Sequence, residues 1–126
     1  MVKKYTSIGA IMAMLSVALG AFGAHLLEDH LTLDALAVYE TAVQYQMFHA
    51  VGILIIASLY ERLPSQQLAL WAARLLLAGI LVFSGSLYVL AMSGYKILGA
   101  VTPIGGVLFI GGWICLVLAT RTKSNI

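Results

Sequence analysis

The chain has 126 residues, of which 62% are hydrophobic and 10% charged, with a mean hydropathy of +1.01 and a formal net charge of +2. Soluble domains are nearer to about half apolar and about a quarter charged, and so small a domain has too little interior to bury this much apolar surface. The composition indicates an integral membrane protein, and the small net charge without a basic cluster excludes a nucleic-acid partner.

Four apolar segments follow one another along the chain, at residues 8–27, 42–60, 68–92 and 103–120. Each is close to the roughly 20 residues that cross a hydrocarbon core as a helix. Lipid offers the backbone no hydrogen-bond partners, so each segment is predicted to be helical. The predicted fold is an all-α, four-helix transmembrane bundle that forms a single domain over residues 1–126.

The first segment could be mistaken for a cleaved signal peptide, because Lys3 and Lys4 precede it and the small residues of "GAFGAH" end it. Its removal would leave three spans and place the other basic residues at odds with the topology. We therefore expect it to remain as the first span.

Basic residues fall mainly on one side of the predicted bundle. Six of the seven do so if all four segments cross, and the exception is Lys96 in the third loop. The first loop carries acidic residues and neither Lys nor Arg. The positive-inside rule then places both termini in the cytoplasm.

Two loop motifs predict helix boundaries. Pro64 interrupts the chain between the second and third spans. Thr102 and Pro103 have the pattern of an N-cap followed by proline at the first helical position, which predicts that the fourth helix starts there.

Small residues at helical spacing predict where helices approach closely, since association in lipid depends on small and polar residues. They occur in spans one, three and four. The predicted packing residues are Gly9, Ala13, Gly20, Ala24, Gly79, Ser86, Gly105 and Gly112.

Span two carries a stripe of hydrogen-bonding groups near its predicted outer half. Its expected members, together with the histidine that ends span one, form a predicted polar intramembrane cluster: His49, Tyr45, Gln44, Thr41, Gln46 and His25. Polar groups at this depth are costly without partners, so we expect the stripe to face the bundle interior. Facing partners could come from Ser84, Ser86, Tyr88 and Thr102.

Four interpretations of this cluster remain open. The side chains could only link helices, or line a pocket for a lipid headgroup or quinone. They could form a proton or small-solute path, or His25 and His49 could ligate haem or a metal. The three histidines lack zinc-type spacing, and no nucleophile–base pair or phosphate loop is present. No catalytic residue, metal ligand or cofactor is therefore assigned, and Cys115 is interpreted as a buried hydrophobe.

Four motifs resemble one known family: "GAFGAH", "ETAVQYQMFHA", "FSGSLY" and "LGAVTPIGGVLFIGGW". In this order they are similar to the DUF-423 family of small bacterial membrane proteins, which is related to the eukaryotic transmembrane protein 256. The resemblance covers nearly the whole chain. It implies a multi-span protein of the bacterial cytoplasmic membrane, and it carries over no catalytic residue.

The sequence thus predicts a non-enzymatic membrane protein that binds membrane lipids or a partner membrane protein, with a homo-oligomer also possible. A transporter or channel subunit is one alternative, and a haem- or metal-binding redox subunit is another.

Overall fold

The computed structural model describes residues 1–121, and within them the chain forms four helices and no strand. All four are long and apolar enough to cross a membrane. They are α1 (Val2–Leu27), α2 (Leu33–Arg62), α3 (Gln66–Ser93) and α4 (Leu98–Arg121). The predicted all-helical fold with four candidate spans is confirmed. Lys123, one of the basic residues used to predict the orientation, lies outside the described residues.

Hydroxyl side chains cap the N-termini of two of the helices. Thr32 accepts a hydrogen bond from the Ala35 amide (3.1 Å) at the start of α2, and Ser65 accepts one from the Leu68 amide (3.2 Å) at the start of α3. The Ser65 amide also donates to the Ala119 carbonyl (3.1 Å). This bond ties the turn between α2 and α3 to the end of α4.

The predicted start of α4 is wrong. The helix begins at Leu98, and Pro103 lies inside it. Thr102 does not act as an N-cap, because its hydroxyl donates back to the Leu98 carbonyl (3.2 Å). Pro103 is the sixth residue of the helix and has no amide to donate to the Gly99 carbonyl, so the helix lacks one backbone hydrogen bond near its start.

Two helices contain a π-helical turn. The α-helical part of α1, Val2–Phe22, continues into the turn Gly23–Leu27, and α3 carries Ile80–Ser84 between two α-helical stretches. Such single turns often mark functional positions within helices. Here the second one carries Ser84, whose buried hydroxyl donates to the Ala42 carbonyl of α2 (2.8 Å).

The helices pack in chain order, with α2 and α3 at the centre, α1 along α2, and α4 along α3. The α1–α2 pair is antiparallel, since Gly9 lies against Leu54 while Gly20 lies against Val43. The main core contains Ile53, Ile56 and Leu76. A smaller apolar cluster around Leu27, Tyr39 and Ala91 closes the opposite end of the molecule.

The predicted packing residues occupy three kinds of environment. Five glycines meet a neighbouring helix so closely that a methyl group would contact it within 3.4 Å: Gly9, Gly20, Gly79, Gly105 and Gly112. Ser86 is buried and bonds to Thr102, and Ala13 packs partly buried against the main core. Ala24 differs, because it is exposed and lines a cavity between α1 and α2.

Candidate functional site

Gln46 joins three helices near the middle of the molecule. Its side chain is 4% exposed. The amide nitrogen donates to the Met12 carbonyl of α1 (3.0 Å), and the amide oxygen accepts from the Tyr88 hydroxyl of α3 (2.6 Å). The Ser16 hydroxyl donates to the same Met12 carbonyl (2.8 Å). Both ends of the amide are thereby satisfied by groups from different helices, which makes Gln46 a structural link.

His49 connects α2 to α4 and is also 4% exposed. The Trp113 indole N–H donates to Nε2 of His49 (3.1 Å), and Nδ1 lies 2.8 Å from the Tyr45 carbonyl. An indole can only donate and a carbonyl can only accept. The proton of the neutral imidazole is therefore on Nδ1, and both ring nitrogens have partners.

Aromatic rings enclose the imidazole. Phe109 stacks on it with ring centroids 3.6 Å apart and planes 10° from parallel. Phe48 meets its edge at 5.2 Å. Tyr45 packs in turn on Phe83 at 4.5 Å. Stacking and edge contacts of this kind add to the stability of a packed cluster.

Tyr39 and Trp113 also link the helices, although the sequence analysis did not single them out. The Tyr39 hydroxyl donates to the Leu19 carbonyl (2.6 Å), and its ring meets that of Tyr88 at 5.3 Å. Tyr39 precedes the predicted second span, and a lone tryptophan in an apolar helix resembles ordinary core. The available signal for Trp113 was that an indole N–H in lipid requires an acceptor.

The predicted polar cluster is only partly assembled. Gln46 and His49 are buried, but Gln44 is exposed and Tyr45 is 42% exposed, while Thr41 donates to its own helix at Ala37 (3.0 Å). The expectation that the whole stripe faces inward is corrected. The buried face of α2 is centred on Ala42, Gln46, His49 and Ile53. At about 100° per residue, Tyr45 falls at the edge of this face and Gln44 on the opposite side of the helix.

His25 does not join the cluster. It is exposed, in the π-helical turn that ends α1. The neighbouring Gly23 lies beside Tyr39, which is ten residues, or about 15 Å of helix, from His49. His25 follows Gly23 in the chain and is therefore still further along the bundle from His49 than Tyr39 is. His49 also has two partners already, so the two histidines are not brought together as ligands. Among the described residues, no group of three or more His, Cys, Asp or Glu could hold a metal ion.

A groove opens beside the exposed edge of α2. It has a volume of about 320 Å³ and is lined by Gln44, Tyr45, Phe48 and His49. Phe48 is 64% exposed. The surface is thus largely apolar and aromatic, with one side-chain amide and one phenol available at one end.

A second cavity, of about 200 Å³, lies between α1 and α2. Small residues of α1, Gly20, Gly23 and Ala24, form one side. Glu40 and Gln44 of α2 are on the other side, so Gln44 borders both cavities.

A family model described as "Protein of unknown function (DUF423)" matches residues 19–106. The chain belongs to the DUF423 family. The match runs from the C-terminal part of α1 through the first turns of α4, and it therefore includes Gln46, His49 and both cavities. The predicted family resemblance is confirmed.

Curated relatives of this DUF423 chain are named UPF0382 membrane proteins. One from Staphylococcus epidermidis is 51% identical over 94% of this chain and 95% of its own length. YwdK of Bacillus subtilis is 48% identical over 93% of this chain and 95% of its own length. No solved structure matches the DUF423 chain. The relatives' names and the four apolar helices together show a membrane protein of an uncharacterised family.

Proposed function

We propose that this protein is a non-enzymatic, lipid-binding protein of the bacterial cytoplasmic membrane, with both termini in the cytoplasm. The observation that carries the proposal is the groove beside α2. A phospholipid would place an acyl chain along Phe48 and its glycerol ester groups beside Gln44 and Tyr45.

The charge pattern supports the orientation. Arg62 ends α2. On α3, Arg74 lies one helical turn after Trp71, and its guanidinium is 5.0 Å from the indole ring. Basic side chains favour the cytoplasmic side, whereas tryptophan favours either membrane interface. The opposite loop between α1 and α2 contains Glu28 and Asp29 and neither Lys nor Arg.

Depth along α2 matches the parts of a phospholipid. Gln44 is eighteen residues from Arg62, or about 27 Å at the helical rise, which is close to the thickness of the hydrocarbon core. Gln44 and Tyr45 then lie at the outer interface, where lipid ester groups can accept hydrogen bonds. Phe48 lies about 6 Å deeper than Gln44, at the level of the acyl chains.

The exposed polar groups favour a bound lipid over the other interpretations. At the interface, the exposed amide and phenol can donate hydrogen bonds to the ester oxygens of a lipid seated in the groove. The haem or metal hypothesis depended on two histidines that the fold separates. A solute path through His49 lacks support, because both ring nitrogens are engaged by Tyr45 and Trp113.

Native mass spectrometry of the full chain in a mild detergent, with added phosphatidylethanolamine, tests the proposal. We expect one lipid to be retained by the wild-type protein. Phe48→Ala, together with Gln44→Leu, should reduce that retention because the groove loses its aromatic wall and its polar end.

The matched control is Met47→Ala. Met47 is adjacent in sequence and exposed, but it does not line the groove. Equal lipid retention by wild type, the groove variant and the control would overturn the proposed site. A wild-type protein that retains no lipid would overturn the proposed function itself.

A further inference from the structure

The cavity between α1 and α2 places one carboxylate beside the proposed lipid site. Glu40 is exposed and lies one helical turn from Gln44, which borders both this cavity and the groove. The cavity exists because α1 presents only Gly20, Gly23 and Ala24 at this level. The space in front of Glu40 is therefore open to a small group.

The two helices that line this cavity place one carboxylate at it, Glu40, and no Lys or Arg. The sequence contains neither Lys nor Arg from residue 5 to residue 61, which includes all of α1 beyond Lys4 and nearly all of α2. An anionic headgroup would approach Glu40 without a compensating cation on these helices. A headgroup that ends in an ammonium would instead meet an opposite charge.

The spacing also agrees with such a headgroup. Glu40 and Gln44 are separated by four residues, or about 6 Å along the helix. Along α2, the order from the outer end inward is Glu40, then Gln44 with Tyr45, then Phe48. This is the order of amine, ester and acyl chain in an aminophospholipid.

We infer that the lipid site selects a phospholipid with a primary ammonium headgroup, of the phosphatidylethanolamine type, and that Glu40 recognises the ammonium. This inference rests on the proposed lipid-binding function and adds the class of lipid. Gln44 connects the two cavities and positions the glycerol region between them.

A competition experiment tests the selectivity. The full chain is incubated in mild detergent with an equimolar mixture of phosphatidylethanolamine and phosphatidylglycerol that have the same acyl chains, and the retained lipids are compared by native mass spectrometry. We expect the wild type to prefer phosphatidylethanolamine by about threefold, as for one partly exposed ion pair. Glu40→Gln should lower the retention of phosphatidylethanolamine to the level of phosphatidylglycerol, so that the preference is lost.

Asp34→Asn is the matched control, since Asp34 is also acidic and exposed on α2 but lies outside both cavities. It should keep the wild-type preference. Equal retention of both lipids by the wild type, or an unchanged preference in Glu40→Gln, would overturn the inference and leave lipid binding intact. Loss of the preference in Asp34→Asn as well would assign it to general surface charge and also overturn the inference. Retention of neither lipid by the wild type would instead remove the proposed function.

Discussion

Two glutamines of α2, Gln44 and Gln46, have opposite environments because a two-residue step on a helix turns the side chain by about 200°. Gln46 is buried and links α1 to α3, whereas Gln44 is exposed and borders the two cavities. The same contrast separates His49, which is fully bonded, from Tyr45, which is partly exposed. Buried side chains that link helices and exposed side chains that line the cavities therefore occur within one six-residue stretch of α2.

Gln46→Leu should lower the free energy of unfolding in detergent by about 1–3 kcal/mol, because two interhelical hydrogen bonds are lost. Thermal unfolding followed by circular dichroism measures the effect. The control, Gln44→Leu, should leave stability nearly unchanged. If the two variants had equal stability, Gln46 would not be a structural link.

His49→Leu should lower the free energy of unfolding by about 0.6–2 kcal/mol, since it removes the acceptor of the Trp113 indole. A double-mutant cycle with Trp113→Phe isolates that hydrogen bond, because the two losses should be less than additive. Ser93→Ala is a suitable control, as its hydroxyl donates to the Val89 carbonyl of its own helix and accepts from the Tyr95 amide of the adjoining loop, with no contact to α2 or α4 through these bonds. Fully additive losses would contradict the bond between His49 and Trp113.

At the scale of elements, glycines determine how closely α3 and α4 approach. A methyl group on Gly105 would collide with the backbone of Phe83, whereas one on Gly106 would meet nothing within 4 Å. The adjacent pair shows that glycine content alone does not identify the interface. What matters is which face of α4 meets α3.

Gly105→Ala should destabilise the protein by about 1–3 kcal/mol, because the collision involves backbone that cannot rotate away. Gly106→Ala has the same change in composition without the collision and serves as its control. Thermal unfolding of both variants in one detergent measures the difference. Equal melting temperatures would show that α3 and α4 do not pack as described.

At the scale of the whole molecule, the two central helices carry most of the buried surface, while α1 and α4 each leave much of their length exposed. This is consistent with a protein whose outer faces contact lipid. The proposed sites depend on which end of the bundle faces outward, so the orientation requires its own test.

Single cysteines introduced into a Cys115→Ser background should report the orientation. In intact cells, a membrane-impermeant maleimide should label Glu28→Cys and Tyr95→Cys, which lie in the loops proposed to be external. Gln67→Cys, near the start of α3, should be labelled only after the membrane is permeabilised. The reverse pattern would place both termini outside and overturn the proposed topology.

The sequence by itself determined the membrane environment and the number of helices, because both follow from long apolar runs whose backbone must bond internally. The recurrence of small residues at helical spacing pointed to five glycines that lie close to a neighbouring helix, but it did not point to Gly23 and Gly52, which do so as well. The sequence did not locate the start of α4, because a Thr-Pro pair has the same appearance at a helix start and within the first turns.

Only the tertiary structure decided which members of the polar stripe are buried. The helical wheel gives angles between residues, but the direction of the core depends on where α1, α3 and α4 pack around α2. That packing turned Gln46 and His49 toward partners from distant parts of the chain, Tyr88 and Trp113. It left Gln44 at the border of two cavities and His25 far from His49, because side-chain encounters between helices are set by packing rather than by spacing along one helix.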